Sequence, residues 1–331
     1  MSLLVTTDLA IHAEGLARRF GDNEAVRGVD LSVARGEIFG FLGPNGAGKS
    51  TTVRMLCTLL GPTGGSATVA GHDVVAAPEE VRVRIGVALQ EAALDEKQSG
   101  REILDLQGRL YGLRGDVLSS QVQAGIELAD LGDAIDDRVG TYSGGMKRRL
   151  DLAASLVHGP EVLFLDEPTT GLDPVSRARV WEEVRRLNQE RGVTIFLTTQ
   201  YLEEADELAD RVAIIDDGRI IEQGTPEALK RAVGSDVVIA EVSGDRAVLA
   251  AAKAVADVPG ATEVTKGRMA ITISTEDGAL LVGPIAVALS RANIDVTSLT
   301  VRTPSLDDVF LRATGHRMGI GVDGSTSEVI S

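Results

Sequence analysis

A glycine-rich segment carries the clearest chemistry of this 331-residue chain. Residues 43–51 read GPNGAGKST and fit the pattern G-x-x-x-x-G-K-[ST] without a gap. In this pattern backbone N–H groups converge on phosphate oxygens, and the helix that follows adds the positive end of its dipole. Lys49 would reach the β- and γ-phosphates, while the Ser50 hydroxyl would help to coordinate Mg²⁺. The sequence therefore predicts a nucleoside triphosphate site that includes Asn45, Gly46, Gly48, Lys49, Ser50 and Thr51.

Two adjacent acidic residues supply a second signal. The apolar run 162–165 ends in Asp166 and Glu167. A strand here would place Asp166 to hold magnesium and Glu167 beside the γ-phosphate, where it would act as the general base for the attacking water. A solvated strand end is the alternative. Because a phosphate-binding loop precedes these residues, the combination favours an ATPase site.

A third motif, YSGGM at residues 142–146, precedes apolar residues at helical spacing. Ser143 has the character of an N-cap, so the pattern predicts a helix that begins beside Gly144 and Gly145 with unpaired N–H groups. Such a helix end can bind an anion. Taken alone, the motif favours an ordinary capped helix.

The apolar runs also predict the elements that position these residues. A strand over 37–42 leads into the phosphate-binding loop, and a helix over 52–60 follows it. After residue 90 we expect a mainly helical insert. Beyond residue 171 helices and strands alternate, which predicts a doubly wound α/β sheet. The predicted segments are helices over 100–111, 117–128, 175–189 and 202–209, and strands over 85–89, 194–198, 212–215 and 219–223.

The C-terminal third follows a different pattern, in the order βαββαβ. That order is typical of a small ferredoxin-like α+β domain. Leu306, Val309 and Phe310 then share one helical face, most simply a packing stripe. The predicted segments are strands over 237–242, 262–265, 269–274 and 295–302, and helices over 246–256 and 278–292.

These patterns divide the chain into three parts. We predict a nucleotide-binding cassette over 1–228, with a helical subdomain over about 91–158. An accessory domain is predicted over 229–315. The remaining residues, 316–331, are mostly polar and rich in glycine, so we expect a disordered tail.

The order of the motifs resembles the ATP-binding cassette (ABC) family of transporter ATPases. The resemblance covers roughly the first two thirds of the chain, and the motifs occurring together are far more specific than any one of them. It rests on the phosphate-binding loop, Gln90 after the strand over 85–89, the SGG helix start, the Asp166-Glu167 pair and Gly171-Leu172-Asp173.

This resemblance implies ATP and Mg²⁺ as ligands, with Ser50, Gln90 and Asp166 around the metal. It implies a homodimer in which Ser143, Gly144 and Gly145 of one subunit touch the γ-phosphate held by the other. Phe20 would stack on adenine, Gln90 would link the γ-phosphate site to the membrane partner, and Asp173 would communicate across the dimer. The alternatives are a core aromatic for Phe20, a polar strand end for Gln90 and an N-cap for Asp173.

Two departures from the family pattern matter. Gln200 stands in the segment TTQYLEEA where the family usually has a histidine that contacts the γ-phosphate. Its amide can donate a hydrogen bond but cannot carry a charge or a proton. The site is therefore either degenerate or dependent on Glu167 alone, and the intact phosphate-binding residues favour a competent, slower hydrolase. With YSGGM in place of LSGGQ, these segments resemble the daunorubicin/doxorubicin resistance ATP-binding proteins.

The resemblance implies the ATP-hydrolysing subunit of an ABC exporter for a drug such as an anthracycline. It would lie at the cytoplasmic face of the cell membrane, beneath a separate transmembrane permease. A lipid or glycolipid cargo and a non-hydrolysing regulatory module are the alternatives. A DNA- or ribosome-associated ABC ATPase would need a long coiled-coil insert or a second cassette, and the sequence shows neither.

Composition agrees with this interpretation. A net charge of −16 repels nucleic acid phosphates, so we expect no DNA or RNA partner. Cys57 is the only cysteine, which excludes an intrachain disulfide. The sequence suggests neither a signal peptide nor a spanning segment. Its longest apolar stretch, 279–289, is interrupted by Gly283 and Pro284 and is shorter than the about 20 residues that cross a bilayer.

Overall fold

A computed structural model describes residues 9–89, 94–243 and 245–315 of the chain. It contains two compact units, the first ending at Pro226 and the second beginning at Glu227. This division falls beside residue 228, where the sequence predicts the end of the cassette. Within the described ranges, every helix is too short or too polar to span a lipid bilayer.

The first unit contains ten strands and seven helices within the described residues, and an eighth helix lies at its boundary. In chain order they are β1 (Leu9–Phe20), β2 (Asn23–Ala34), β3 (Ile38–Leu42), α1 (Lys49–Leu56), β4 (Gly64–Val69), β5 (His72–Asp73), α2 (Pro78–Arg82), β6 (Ile85–Ala88), α3 (Gly100–Leu110), α4 (Gly115–Ala129), α5 (Gly144–Leu156), β7 (Val162–Asp166), α6 (Pro174–Arg191), β8 (Thr194–Thr199), α7 (Leu202–Leu208), β9 (Arg211–Asp216), β10 (Arg219–Gly224) and α8 (Pro226–Val233).

A six-stranded sheet in the order β10-β9-β3-β8-β7-β6 forms the centre of this unit. Its strands run parallel except for β10, which pairs antiparallel with β9 at the edge. Every residue of β3, β7 and β8 is buried, as expected for strands covered on both faces. The carboxyl ends of the parallel strands meet at one edge of the sheet, which is where ligands bind in such folds.

Aromatic packing joins three neighbouring strands of this sheet. The ring centroid of Phe196 on β8 lies 5.6 Å from that of Phe39, 5.5 Å from that of Phe41 and 5.6 Å from that of Phe164. Because offset and tilted rings at this separation attract one another, the strands that lead into the motifs are held in fixed register. An antiparallel sheet in the order β2-β1-β4-β5 completes the strand structure of the unit.

The helical insert predicted after residue 90 is present. Helices α3 and α4 correspond to the segments predicted over 100–111 and 117–128. A capping box formed by Ser99 and Glu102 begins α3. The helix predicted over 52–60 lies earlier in the chain, because α1 begins at Lys49 and ends at Leu56, shortly before the left-handed φ of 60° at Thr58.

The second unit has the predicted βαββαβ order. Its four strands form an antiparallel sheet in which, counted along the chain, the spatial order is second, third, first, fourth, the arrangement of a ferredoxin-like domain. Leu306, Val309 and Phe310 are buried, as the packing interpretation of this helical face requires. The elements are β11 (Asp236–Val242), α9 (Asp245–Val255), β12 (Glu263–Lys266), β13 (Ala270–Thr275), α10 (Gly278–Arg291), β14 (Val296–Arg302) and α11 (Leu306–Thr314).

Candidate nucleotide-binding site

The phosphate-binding loop connects β3 to the N-terminus of α1. Two of its glycines are required by close backbone contacts. A Cβ atom on Gly43 would lie 2.3 Å from the carbonyl oxygen of Ile215, and one on Gly48 would lie 2.6 Å from that of Ala25. Gly48 also has a φ of +106°, which L side chains rarely adopt. The loop is therefore packed tightly against the rest of the unit, with Asn45 and Gly46 exposed at its tip.

Lys49 lies beneath this loop. Its side chain is only 4% exposed, and its Nζ donates hydrogen bonds to the carbonyl oxygens of Gly43 at 2.7 Å and Pro44 at 3.1 Å. The same nitrogen lies 3.5 Å from Oε1 of Glu167. Burial lowers the pKa of the Lys49 ammonium, and the Glu167 carboxylate opposes that shift. The loop thus holds a buried cation at the place where phosphate charge would be bound.

Asp166 forms the buried end of β7 and joins the loop to the sheet. Its Oδ1 accepts a hydrogen bond from the Ser50 hydroxyl at 3.3 Å and another from the Thr198 hydroxyl. A serine hydroxyl and a carboxylate are hard oxygen ligands of the kind that Mg²⁺ prefers. These two side chains therefore suit a magnesium ion shared with phosphate oxygens. Thr51, the next residue of α1, is half-buried.

Glu167 follows Asp166 in a restrained and unusual conformation. Its φ of 49° is left-handed, which costs about 1–2 kcal/mol for a residue with a Cβ. Its backbone N–H donates to the carbonyl and hydroxyl oxygens of Thr198, both at 3.1 Å, and its Oε2 accepts from the Thr170 hydroxyl at 3.2 Å. The carboxylate is 7% exposed. Several contacts therefore fix this carboxylate beside Lys49.

The SGG segment lies at the start of α5. Ser143 caps the helix by accepting a hydrogen bond from the backbone N–H of Met146 at 3.3 Å. Ser143 and Gly144 are exposed, and Gly145 is half-buried. Among the described residues, no hydrogen bond joins this segment to the phosphate-binding loop. Ser143 and Gly144 therefore lie at the surface of this chain, without a hydrogen bond to its own phosphate-binding loop in the described residues.

The remaining predicted site residues have different surroundings. Phe20 is 45% exposed, and the Arg18 guanidinium lies 4.6 Å from the centre of its ring, so the core-aromatic interpretation of Phe20 is wrong. Gln200 is half-buried directly after β8. Gln90 lies outside the described residues. Asp173 caps α6 through the backbone N–H groups of Val175 and Ser176, each at 3.0 Å.

The motifs in the sequence do not predict one further contact at this edge of the sheet. Arg148 extends from α5 and donates hydrogen bonds to the carbonyl oxygen of Pro168 at 3.0 Å and to that of Leu89 at 2.6 Å. It lies in the run Lys147-Arg148-Arg149, which is typical of a solvated basic face. Its helical neighbour Asp151 accepts a third hydrogen bond at 3.1 Å. The i, i+3 spacing of opposite charges is the only local signal for this cluster.

Comparison with known proteins finds a matching family model for each of the two units. The ABC transporter family model matches residues 26–170, and the model of the ATP-binding protein DrrA1-3-like C-terminal domain matches residues 224–314. The chain is 50% identical to the daunorubicin resistance ATP-binding protein DrrA2 of Streptomyces coeruleorubidus over 93% of this chain and 96% of the relative. It is 47% identical to the daunorubicin/doxorubicin resistance ATP-binding protein DrrA of Streptomyces peucetius over 93% of each.

A solved structure gives the same assignment for the fold. The CbiO1 protein of Clostridium perfringens, part of the ABC transporter complex CbiONQ, superposes with a TM-score of 0.63 at 27% identity. The match covers 68% of this chain and 93% of that protein. The chain belongs to the ATP-binding cassette family, as an ATPase subunit of a transporter with a DrrA-like C-terminal domain.

Proposed function

We propose that this ATPase subunit binds ATP with Mg²⁺ and that hydrolysis at Glu167 drives the export of a drug such as an anthracycline. The observation that carries the proposal is the cluster at the carboxyl edge of the sheet, where Lys49, Ser50, Asp166 and Glu167 converge. The drug cargo is supported by the names of the two Streptomyces relatives, both of which are resistance proteins.

Binding is assigned to the loop and the start of α1. The backbone N–H groups of Gly46 and Gly48 and the ammonium of Lys49 would hold the β- and γ-phosphates. Ser50 and Asp166 would hold magnesium, which when bound would neutralise phosphate charge. Phe20 is exposed at the end of β1, and the face of its ring opposite Arg18 would stack on adenine. Its neighbours Arg19 and Gly21 line a surface cavity of about 450 Å³.

The chemical step is assigned to Glu167. Its carboxylate would take a proton from the attacking water while the water oxygen bonds to the γ-phosphorus and the bond to the β–γ bridging oxygen breaks. The hydrogen bond from Thr170 and the ion pair with Lys49 hold the carboxylate near this position. Gln200 would donate its amide N–H to a γ-phosphate oxygen, in place of the usual histidine.

The assembly is a proposal that rests on surface exposure. Because Ser143 and Gly144 are exposed, they are available to a γ-phosphate held by a second copy of the chain. We therefore place two copies head to tail at the cytoplasmic face of the membrane, where each contacts a separate permease. Gln90 and the accessory domain over 229–315 are proposed to take part in contact with that permease.

The test compares two glutamates that flank the same strand. Glu167→Gln removes the base and leaves the phosphate-binding groups, so Mg²⁺-dependent phosphate release should fall by about 100-fold or more while ATP binding persists. Glu161→Gln is the matched control, because Glu161 is exposed and its surface salt bridges with Arg35 at 2.7 Å and Arg84 at 3.5 Å contribute little. Equal phosphate release by wild type and Glu167→Gln would remove Glu167 from this role.

Cargo is tested separately with the permease present. Inverted vesicles that contain both proteins should accumulate an anthracycline when ATP and Mg²⁺ are supplied, and Glu167→Gln vesicles should not. Transport of a labelled lipid or glycolipid, without anthracycline transport, would overturn the drug cargo and leave the ATPase assignment intact. ATP binding with no hydrolysis by the wild type would support the regulatory alternative instead.

A further inference from the structure

Arg148 connects three separate parts of the first unit. It belongs to α5, the helix that begins at the SGG segment, and its side chain turns inward toward the sheet. Nε donates to the carbonyl oxygen of Pro168, and Nη1 donates to the carbonyl oxygen of Leu89. Pro168 follows Glu167 in the chain, and Leu89 precedes Gln90. One guanidinium thus holds the backbone beside two predicted site residues.

We infer that Arg148 is a positioning residue for ATP hydrolysis, which couples the helix carrying Ser143–Gly145 to the backbone that places Glu167. This inference rests on the proposed role of Glu167 as the base. Arg148 does not contact the reacting atoms in this assignment. It acts through Pro168, whose carbonyl oxygen it bonds and whose backbone nitrogen is joined to Glu167.

The chemistry of arginine suits this role. Its planar guanidinium presents donors in fixed, different directions, so one side chain can bond two carbonyl groups that are 79 residues apart in sequence, at positions 89 and 168. Lysine has a single charged nitrogen on a flexible stem and cannot reproduce that fork. The left-handed backbone of Glu167 needs restraint from its surroundings, and the bond at Pro168 is next to it.

The burial of Arg148 also indicates a role other than stability. The residue is 9% exposed, and its Nη2 is buried without a hydrogen-bond partner among the described residues. Leaving a buried charged donor unmatched is costly, so Arg148 contributes less to stability than a fully bonded arginine would. Departures from local optimisation of this kind are concentrated at functional sites.

Neighbouring Arg149 provides an internal comparison. Its Nη1 donates to the carbonyl oxygen of Asp130 at 2.9 Å, within the helical insert. It makes no hydrogen bond to the strand ends in the described part of the chain. Two successive arginines of one helix therefore serve different contacts, and only Arg148 reaches the edge of the sheet where Glu167 lies.

The experiment measures kcat and KM for Mg²⁺-dependent phosphate release by the subunit with its permease. Arg148→Lys should lower kcat by about 10- to 100-fold, the loss expected when a catalytic group is misplaced by about 1 Å. KM and the dissociation constant for ATP should stay within about twofold, because the phosphate-binding groups are unchanged. Arg101→Lys is the control, since Arg101 pairs with Asp136 in the helical insert and should behave as wild type.

A double-mutant cycle separates positioning from general damage. In the Glu167→Gln background the base is absent, so adding Arg148→Lys should change the single-turnover rate by less than about twofold. The same fold loss in both backgrounds would overturn the inference, because Arg148 would then act independently of Glu167. A rise in KM with unchanged kcat would also overturn it. If Glu167→Gln alone hydrolyses ATP normally, the proposed base is wrong, and the Arg148→Lys result in wild type still reports whether Arg148 affects turnover.

A second variant guards against a folding defect. Asp151→Asn removes the negative charge beside Arg148 but keeps both backbone carbonyl acceptors, so kcat should stay within about threefold of wild type. A loss as large as that expected for Arg148→Lys would assign the effect to the ion pair and contradict the role of the carbonyl bonds. Trp181 fluorescence, which reports on α6, shows whether each variant is folded.

Discussion

Asp151 makes the stability of the first unit depend on pH. It lies on α5, and its Oδ2 is 3.1 Å from Nη1 of Arg148. Burial raises the pKa of Asp151 from 3.8 to about 6, and the positive charge of Arg148 opposes this shift without cancelling it. The folded protein therefore holds a proton on Asp151 over a range in which the unfolded chain has lost it.

The direction of the effect follows from proton binding. Between pH 3.8 and about 6 the folded state binds more protons at Asp151 than the unfolded state does, so the free energy of unfolding falls as pH rises. The destabilisation caused by ionising Asp151 is absent below this pH range and constant above it. A shift from 3.8 to about 6 corresponds to a destabilisation of about 3 kcal/mol at neutral pH. At pH 5 the same pKa values give a destabilisation of about 1.6 kcal/mol.

Asparagine cannot titrate, so Asp151→Asn removes this dependence. The free energy of unfolding of the variant, relative to wild type, should increase by about 1.4 kcal/mol between pH 5 and pH 7.5. Urea unfolding at constant ionic strength measures it, with the fluorescence of Trp181 as the probe. Trp181 is the only tryptophan and lies in α6, so the signal reports on the first unit.

Asp105→Asn provides the matched control. The hydrogen bond and charge of Arg109 lower the pKa of Asp105, so both the folded and the unfolded forms are ionised above pH 5. The difference in free energy of unfolding between Asp105→Asn and wild type should therefore be constant between pH 5 and pH 7.5. A constant difference for Asp151→Asn would refute the reasoning, because it would mean that Arg148 keeps Asp151 ionised in the folded protein.

Three further predictions concern the nucleotide site. Lys49→Ala should weaken ATP binding by about 10- to 100-fold as well as slow turnover, because the proposed contact of the ammonium with phosphate would be made before and during reaction; undiminished binding by calorimetry would exclude this contact. Gln200→His should stay active and gain an ionisation near pH 6 to 7, whereas Gln200→Ala should be about tenfold slower or worse. Phosphate release against pH would contradict this if all three proteins gave the same profile. Phe20→Ala should weaken ATP binding by about 5-fold or more through lost stacking, and equal affinities by fluorescence titration would argue against adenine stacking.

Much of the first unit could be predicted because its signals are local. The strands over 38–42, 162–166 and 194–199 are mostly apolar runs, and each leads directly into a motif. Parallel strands buried on both faces produce such runs, and their carboxyl ends share one edge. The convergence of Lys49 and Glu167 therefore followed from element order. The βαββαβ order of the second unit was also confirmed, because the alternation of its strands and helices is a local signal.

The contacts that could not be predicted are non-local. The Thr198 hydroxyl donates a hydrogen bond to Asp166 and accepts one from the backbone N–H of Glu167. In the sequence nothing distinguishes this threonine from the others in its strand. The left-handed φ of Glu167 has no marker, because such conformations usually indicate glycine. The exposure of Phe20 also could not be read from its residue type, since phenylalanine is more often buried.

Arg148 shows why these non-local contacts matter for the mechanism. A basic run at the start of a helix normally covers solvated surface, and the helix periodicity alone cannot reveal which arginine turns inward. The structure shows Arg148 bonded to two carbonyl groups, one just after the end of β6 and one just after the end of β7. If a second subunit contacts the exposed Ser143 at the start of α5, a displacement of that helix would reach Pro168, the residue after Glu167, through the buried side chain of Arg148. Closure of the dimer and placement of the base would then be one event, and hydrolysis would be confined to the assembled transporter.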